Sequence, residues 1–230
     1  MRLQMASRAV GDVLVIRCGG RIVAGEEVQA LHRHVKNTLA EMREVVLHLE
    51  DVEFIDSSGL GTLVRLLQHA RASGGELRLC NIPKPVRQTL SLTNILSLFP
   101  AYETEGDAII AAYGSGETKT APAAESAIRI LCVEESADLR AYLAELLHRG
   151  GYRVLTSSNV HDAQILLKAA KVRLIILGAS VSVVHGHATR DILGRIDSAA
   201  KVLSLAADFS QQDAGAAAQQ LLEEVRGLTA

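Results

Sequence analysis

The apolar residues of the first hundred positions follow two alternating patterns. Continuous apolar runs predict buried strands, and apolar residues spaced three or four apart predict amphipathic helices. The longest run, EVVLHLEDVEFI, is typical of a central strand covered on both faces. The other predicted strands are DVLVIRCGG, which a glycine pair ends, and ELRLCNI; the predicted helices are Glu27–Met42, the segment from Leu60 to ASGG, and KPVRQTLSLTNILSLF.

The residues after position 127 repeat this alternation. The predicted strands are IRILCVEES, YRVLTS, VRLIILGAS and KVLSLAA. The predicted helices are a segment carrying Leu139, Leu143, Leu146 and Leu147, followed by NVHDAQILLKAA, TRDILGRI and AAAQQLLEEVRGL. Asn159 precedes the second of these helices and is suited to cap it. Regular strand–helix repetition predicts a parallel, doubly wound sheet.

A segment rich in Gly, Ser, Thr, Pro and Ala, YGSGETKTAPAAESA, separates the two parts. Its composition is typical of a linker, and each flanking part has the size of a domain. The sequence therefore predicts an α/β domain at 1–113, a flexible linker at 114–127 and a second α/β domain at 128–230.

Composition and charge exclude several classes of function. The net charge of −2 and the aromatic content of 3% give little basis for nucleic-acid binding. The sequence contains no cleavable leader pattern and no run of roughly 20 apolar residues, so we expect no membrane span. Cys18, Cys80 and Cys132 lie in apolar runs, which indicates buried, reduced thiols in a cytoplasmic protein.

The stretch EFIDSSGLGTLV places polar residues between a predicted strand and a predicted helix. Asp56 or Ser57 is suited to cap that helix, since both residue types are common caps. Alternatively, the turn presents Ser57 for modification or for a partner, with Gly59 and Gly61 leaving room for a close approach. The two roles are compatible.

The longer stretch LEDVEFIDSSGLGTLV, with GGELRLCNIPKPVRQTL after it, resembles the STAS family of anti-sigma-factor antagonists from Met1 to about Tyr113. The resemblance implies a mixed sheet with packed helices. It also implies that an ATP-dependent serine kinase, itself the anti-sigma factor, phosphorylates Ser57, and that a phosphatase reverses the modification. The partner-binding residues implied are Asp56, Ser57, Ser58, Gly59, Leu60 and Gly61.

Residues 128–230 resemble a response-regulator receiver domain of the flavodoxin-like type, most clearly in ILCVEESADLRAYLAELLHRGGYRVLTSSN. Glu134 and Glu135 stand where receivers have their Mg²⁺-binding acids, Gly178 at the phosphate-acceptor aspartate, and Ala206 at the hydroxyl position. No fifth strand with its lysine follows. The resemblance therefore implies a pseudo-receiver without phosphotransfer chemistry, with docking or self-association as its role and its fourth strand at the edge of the sheet.

The remaining polar residues give weaker signals. His185 and His187 are expected in a surface loop rather than at a metal, and His32 and His34 on the solvent side of a helix. His48 is expected to be a hydrogen-bonded structural histidine. DSSGLG lacks the G-x-S-x-G elbow of hydrolases, so we expect no catalytic residue, metal or cofactor.

Three functions remain at this point. The first is a cytoplasmic anti-sigma-factor antagonist that binds its kinase partner when Ser57 is unmodified and leaves it when Ser57 is phosphorylated. The second is a non-switching scaffold whose two domains only dock partners within a larger sensory assembly. The third, a sensor of a small ligand or nucleotide, is less favoured because no glycine-rich phosphate loop is present.

Overall fold

The computed structural model describes residues 2–39, 42–116, 128–178, 181, 189, 191–197, 199–206, 209 and 214–229. The chain divides into two compact units, Met1–Ala112 and Tyr113–Ala230. Both consist of strands alternating with helices, as the apolar pattern predicts.

The first unit contains a five-stranded mixed sheet with the strand order β1-β2-β3-β4-β5. β1 runs antiparallel to β2, and all other neighbours are parallel. The mixed sheet that the family resemblance implies is thus confirmed. Its strands are β1 (Gln4–Val10), β2 (Val13–Ile22), β3 (Glu44–Ile55), β4 (Glu76–Cys80) and β5 (Ala101–Tyr102).

The hairpin of β1 and β2 is absent from the sequence prediction. β1 is mostly exposed and therefore lacks a clear apolar pattern. It is held by its pairing with β2, from Gln4 opposite Gly19 to Val10 opposite Val13. The two-residue turn between the strands includes Gly11 at φ 57°, a left-handed conformation that glycine adopts without strain. β2 also continues through the predicted glycine stop to Ile22.

Four helices accompany the sheet: α1 (Glu26–Leu39), α2 (Ser57–Ala72), α3 (Lys84–Leu92) and α4 (Glu105–Gly116). The helix predicted over KPVRQTLSLTNILSLF is shorter than expected. α3 ends before Thr93, and Asn94 has a φ of 55°, which a continuing right-handed helix excludes. Leu96–Leu98 form a separate 3-10 turn.

Both faces of the sheet are covered along most of β3. Val45 and Leu47 point into a core that α1 and α2 close with leucines such as Leu31 and Leu63. The alternate residues of β3 are buried on the other face, where the first turn of α4 contacts the sheet. The prediction of a strand covered on both faces holds as far as His48, but Phe54 near the end of β3 is 47% exposed.

His48 lies on this second face beneath the start of α4. Its Nε2 atom is 3.3 Å from Nη2 of Arg17, 3.6 Å from a carboxylate oxygen of Glu50 and 3.9 Å from one of Glu105. Among the described residues, its Nδ1 atom is buried without a hydrogen-bond partner. Burial lowers the pKa of His48 and the Arg17 cation lowers it further, although Glu105, Glu50 and Asp51 oppose this. The burial of the ring thus favours the neutral form of His48.

The second unit contains a parallel four-stranded sheet with the order β7-β6-β8-β9. Its first strand thus lies between the second and the third, an order compatible with a flavodoxin-like domain. The strands are β6 (Arg129–Val133), β7 (Arg153–Ser157), β8 (Leu174–Leu177) and β9 (Lys201–Ser204). The helices are α5 (Ala137–Arg149), α6 (Val160–Ala169), residues 191–196 and the C-terminal helix Ala214–Thr229.

Side-chain caps fix the starts of α5 and α6. Ser136 Oγ accepts a hydrogen bond from the backbone N–H of Leu139, and Asn159 Oδ1 accepts one of 2.8 Å from that of Asp162. The predicted cap at Asn159 is therefore confirmed. Such caps contribute about 0.5–2 kcal/mol each, because they satisfy N–H groups that the first helical turn leaves unpaired.

The linker and loop predictions meet the structure only in part. Residues 114–116 form the end of α4 and are not part of a linker. Adding residues to a helix that has already formed costs little free energy. Residues 117–127, His185 and His187 lie outside the described residues.

Within the described part of the second unit, β9 is an edge strand, as the pseudo-receiver prediction implies. His32 and His34 are both half-buried rather than solvent-facing, and the His32 ring packs edge-on against His69.

The three cysteines are unpaired and buried, as predicted. Burial raises the pKa of each thiol to about 12, which keeps the thiols protonated at neutral pH. Within the described ranges, no helix combines the length and the hydropathy that a bilayer crossing requires.

The lowered pKa of His48 predicts that the first unit loses stability on acidification. The unfolded chain takes up a proton at the ordinary histidine pKa of about 6.5, whereas the folded chain does so only at lower pH, so unfolding gains protons as the pH falls. Thermal unfolding at pH 7.5 and 5.5 should show a smaller decrease in Tm for His48→Gln than for the parent. The exposed His161, in the second unit, provides the control: His161→Gln should keep the parent's decrease in the first unit, and an unchanged decrease in His48→Gln would contradict the prediction.

Candidate functional site

The start of α2 is fixed by the carboxylate of Asp56. Its Oδ1 atom accepts a hydrogen bond of 2.8 Å from the backbone N–H of Gly59, and its Oδ2 atom accepts one of 2.9 Å from that of Ala24. The N–H of Ala24 and then that of Gly59 lower the pKa of Asp56, since both bonds favour the charged form. Asp56 is therefore the helix cap, and it also ties the start of α2 to the turn after β2.

Ser57 is not the residue that caps α2. Its side chain is exposed, and among the described residues no hydrogen bond involves its Oγ atom. Ser58 is exposed too, and its backbone carbonyl accepts a hydrogen bond from Thr62. Of the two capping candidates that the sequence left open, Asp56 caps and Ser57 presents its hydroxyl to solvent.

The two glycines of the motif serve different purposes. A Cβ atom on Gly59 would lie 2.3 Å from the carbonyl oxygen of Ile22 and 2.7 Å from Ile55, so glycine is required for α2 to pack on the sheet. A Cβ atom on Gly61 would meet nothing within 4 Å. The expectation that both glycines leave room for a partner therefore fits Gly61 alone, because Ile22 and Ile55 occupy the space next to Gly59.

Leu60 also belongs to the interior. Its side chain is 5% exposed and forms part of the core beneath α2. Of the six residues that the family resemblance assigns to a partner surface, Ser57, Ser58 and the half-buried Gly61 are accessible. Asp56, Gly59 and Leu60 position them.

Two of the receiver-like positions of the second unit, Glu134 and Gly178, lie together at the carboxyl ends of β6 and β8. The Glu134 side chain is buried at 3% exposure, and its Oε1 atom accepts a hydrogen bond of 2.8 Å from the N–H of Ser136. Its Oε2 atom lies 1.7 Å from the position that a Cβ atom on Gly178 would take. The carboxylate of Glu134 thus fills the space that a side chain at position 178 would need.

The remaining two receiver-like positions are open to solvent. Glu135 and Ala206 are exposed. Arg140 reaches back to the turn, where it donates hydrogen bonds to the backbone carbonyls of Glu134 and Glu135 at 2.7 and 3.2 Å. In the part of the chain that the structure describes, no three His, Cys, Asp or Glu side chains are grouped as a metal site would require.

The accessible serine at the start of α2 and the mixed sheet behind it agree with one known family. Residues 4–108 match the STAS domain. This confirms the resemblance given for the first unit, hereafter the STAS unit, Met1–Ala112. The receiver resemblance of the second unit stays a prediction.

The chain is also similar to individual proteins. The chain is 27% identical over 116 residues to an anti-sigma F factor antagonist of Paenibacillus polymyxa, an alignment that covers 47% of this chain and 94% of that protein. It is 29% identical over 99 residues to a STAS-domain-containing protein of Pseudomonas aeruginosa, covering 43% and 97%. A solved anti-sigma factor antagonist from Mycobacterium paratuberculosis is 25% identical with a TM-score of 0.43, covering 48% of this chain and 93% of that one.

Sequence reasoning missed two contacts at this site. The Asp56–Ala24 hydrogen bond joins residues 32 positions apart, and no local pattern indicates it. The guanidinium of Arg21 lies over the exposed ring of Phe54, 5.1 Å from its centroid. An apolar residue in a strand is ordinarily expected to be buried, so the run EVVLHLEDVEFI concealed this second contact.

The different surroundings of the two glycines lead to opposite predictions. Gly59→Ala should destabilise the STAS unit by about 1–3 kcal/mol, the usual cost of forcing extra volume into a packed site. Gly61→Ala should raise its stability by up to about 1 kcal/mol, since alanine is the better helix former. Thermal unfolding of both variants tests this pair, and a loss of stability in Gly61→Ala equal to that in Gly59→Ala would contradict it.

The contact between Glu134 and Gly178 predicts energetic coupling. Gly178→Ala should lower the stability of the second unit by about 1–3 kcal/mol, because the new methyl group displaces a buried carboxylate. In a Glu134→Ala background the same change should cost far less, since of these close contacts only that with the Val133 carbonyl oxygen, at 3.2 Å, then remains. A double-mutant cycle on the thermal unfolding of the second unit measures the difference. Equal costs in both backgrounds would show that Glu134 does not fill this space.

Proposed function

We propose that the STAS unit is an anti-sigma-factor antagonist, which binds a serine-kinase anti-sigma factor and is released when Ser57 is phosphorylated. The observation that carries this proposal is the Ser57 hydroxyl, which is exposed and makes no hydrogen bond among the described residues. The cap beside it comes from Asp56. Modification of Ser57 therefore breaks no bond within the fold. The function named for the Paenibacillus polymyxa relative supports the same role.

In the proposed reaction, the kinase partner transfers the terminal phosphoryl group of ATP to Ser57 Oγ. The new O–P bond forms as the bond to ADP breaks, and the hydroxyl proton passes to a base of the kinase or to solvent. Position 57 gains about 1.5–2 negative charges and three acceptor oxygens. The STAS unit is a substrate in this scheme, and a phosphatase that hydrolyses the ester restores the binding form.

The contrast between the unmodified and modified surfaces explains the release. Unmodified Ser57 and Ser58 offer only neutral hydroxyls, and the open space above Gly61 allows a partner to lie close to α2. A phosphate at the same point must lose its water when the partner binds. An unpaired charge in such a contact costs several kcal/mol, and each 1.4 kcal/mol lowers affinity tenfold.

For the second unit we propose a docking or self-association role. The Glu134 carboxylate occupies the space beside Gly178, and this supports a domain without phosphotransfer. The same observation favours the rival function, a scaffold in which both units only dock partners. The two functions differ in whether Ser57 is phosphorylated and whether that phosphate changes binding.

Substitutions at Ser57 test the switch. Ser57→Ala should change stability by less than about 0.5 kcal/mol, since the hydroxyl makes no hydrogen bond to lose. It should bind the kinase partner like the parent and resist phosphorylation. Ser57→Asp adds one charge at the start of α2, where the helix tolerates it. We expect this variant to fold and to bind about a hundredfold more weakly or worse.

Ser58→Ala is the matched control, because it removes a neighbouring exposed hydroxyl. It should keep both the affinity and the phosphorylation of the parent. Binding of all three variants to the purified kinase is measured by calorimetry, with phosphosite mapping by mass spectrometry. ATP-dependent label on Ser58, or parent-like binding by Ser57→Asp, would show that Ser57 is not the switch. A kinase partner that binds without labelling the chain would favour the scaffold.

A further inference from the structure

Arg21 and Phe54 form an exposed pair beside the candidate switch. They are opposite each other in the β2–β3 register, one position before the buried pair of Ile22 and Ile55. The Arg21 guanidinium carbon lies 5.1 Å from the centroid of the Phe54 ring, within the range of a cation–π contact. The ring is 47% exposed, so the pair is open to solvent at the end of the sheet where α2 begins.

The charge of Arg21 is not neutralised by this contact. Within the described ranges its guanidinium packs on the Phe54 ring, and no carboxylate lies within ion-pair distance of it. The cation nevertheless acts on the neighbourhood of the switch, because it contributes to lowering the pKa of Asp56. Arg21 is therefore an unpaired cation close to the residue that directly precedes Ser57.

The carboxylate of Asp56 is already bound by the backbone. Both of its carboxylate oxygens already accept backbone hydrogen bonds, from Gly59 and Ala24, at 2.8 and 2.9 Å. A phosphate on Ser57 brings more charge and three unused acceptor oxygens. Ser57 follows Phe54 by three residues, at most about 10 Å of extended chain. Because Arg21 lies opposite Phe54 in the register, its side chain starts at the same end of the sheet.

We propose that Arg21 binds the phosphate of phosphorylated Ser57 within the same chain. To reach the phosphate, the guanidinium moves away from the ring of Phe54. A guanidinium group binds phosphate through two parallel N–H···O bonds, which are stronger than the cation–π contact they replace. Phosphorylation then changes the surface in two ways: it adds an anion at Ser57, and it removes the guanidinium from the ring of Phe54. The inference rests on the proposed function only for Ser57 as the modified residue.

A test without kinase or partner uses full-length protein with phosphoserine inserted at position 57 during translation. A ³¹P NMR titration then reads the second pKa of the phosphate, ordinarily about 6. In the parent, Arg21 should stabilise the dianion, so its proton affinity should be about three- to tenfold lower than in Arg21→Gln. The difference should shrink in 1 M salt, where the Debye length is about 3 Å.

Two further variants identify the cause of the shift. Arg33→Gln removes the same charge from an exposed position on α1 and should titrate like the parent. Arg21→Lys keeps the charge without the planar fork, so its titration should fall between those of the parent and Arg21→Gln. Identical titrations for the parent and Arg21→Gln, or an equal shift in Arg33→Gln, overturn the proposal. The titration involves no partner, so its outcome is independent of whether phosphorylation releases one.

Discussion

The carboxylate of Asp56 holds the site together, because each of its oxygens accepts a backbone N–H from a different part of the chain. One bond closes the first turn of α2 at Gly59, and the other reaches the turn after β2 at Ala24. These bonds fix where α2 begins relative to the sheet. They also leave Ser57 without a structural task, so the residue that holds the turn and the residue that is exposed on it are distinct. Loss of the Asp56 carboxylate would therefore disturb the fold at the start of α2, whereas changes at Ser57 affect the surface.

Close packing beneath the turn is the second constraint on the site. Gly59 lies so close to the carbonyl of Ile22 that no side chain fits, and Leu60 inserts into the core. The motif DSSGLG therefore combines residues of two kinds. Asp56, Gly59 and Leu60 hold the start of α2 against the sheet, while Ser57, Ser58 and Gly61 face outward. The order of residues in this motif reflects two requirements on the start of α2: one side packs against the sheet, and the other side is exposed.

The sequence predicted those elements whose burial is regular. β3 has the predicted bounds, because its apolar run is continuous, and α2 follows directly after the polar turn. β1 was missed, since a strand that is mostly exposed and held by backbone pairing leaves no apolar pattern. The exposure of Ser57 was predictable from the motif. The Asp56–Ala24 bond and the Arg21–Phe54 contact were not, because each joins positions more than thirty residues apart.

In the second unit, two positions that are far apart in the sequence, 134 and 178, depend on one another. By the receiver resemblance, Glu134 stands at a position of the acidic pair, and Gly178 stands at the position of the acceptor aspartate. In the structure they fit one another, since the longer carboxylate lies where a side chain at position 178 would begin. The buried side chain of Glu134 accepts a hydrogen bond from the Ser136 N–H, which offsets the cost of burying a polar group. A larger residue at position 178 would therefore conflict with the Glu134 carboxylate, so the two positions depend on one another.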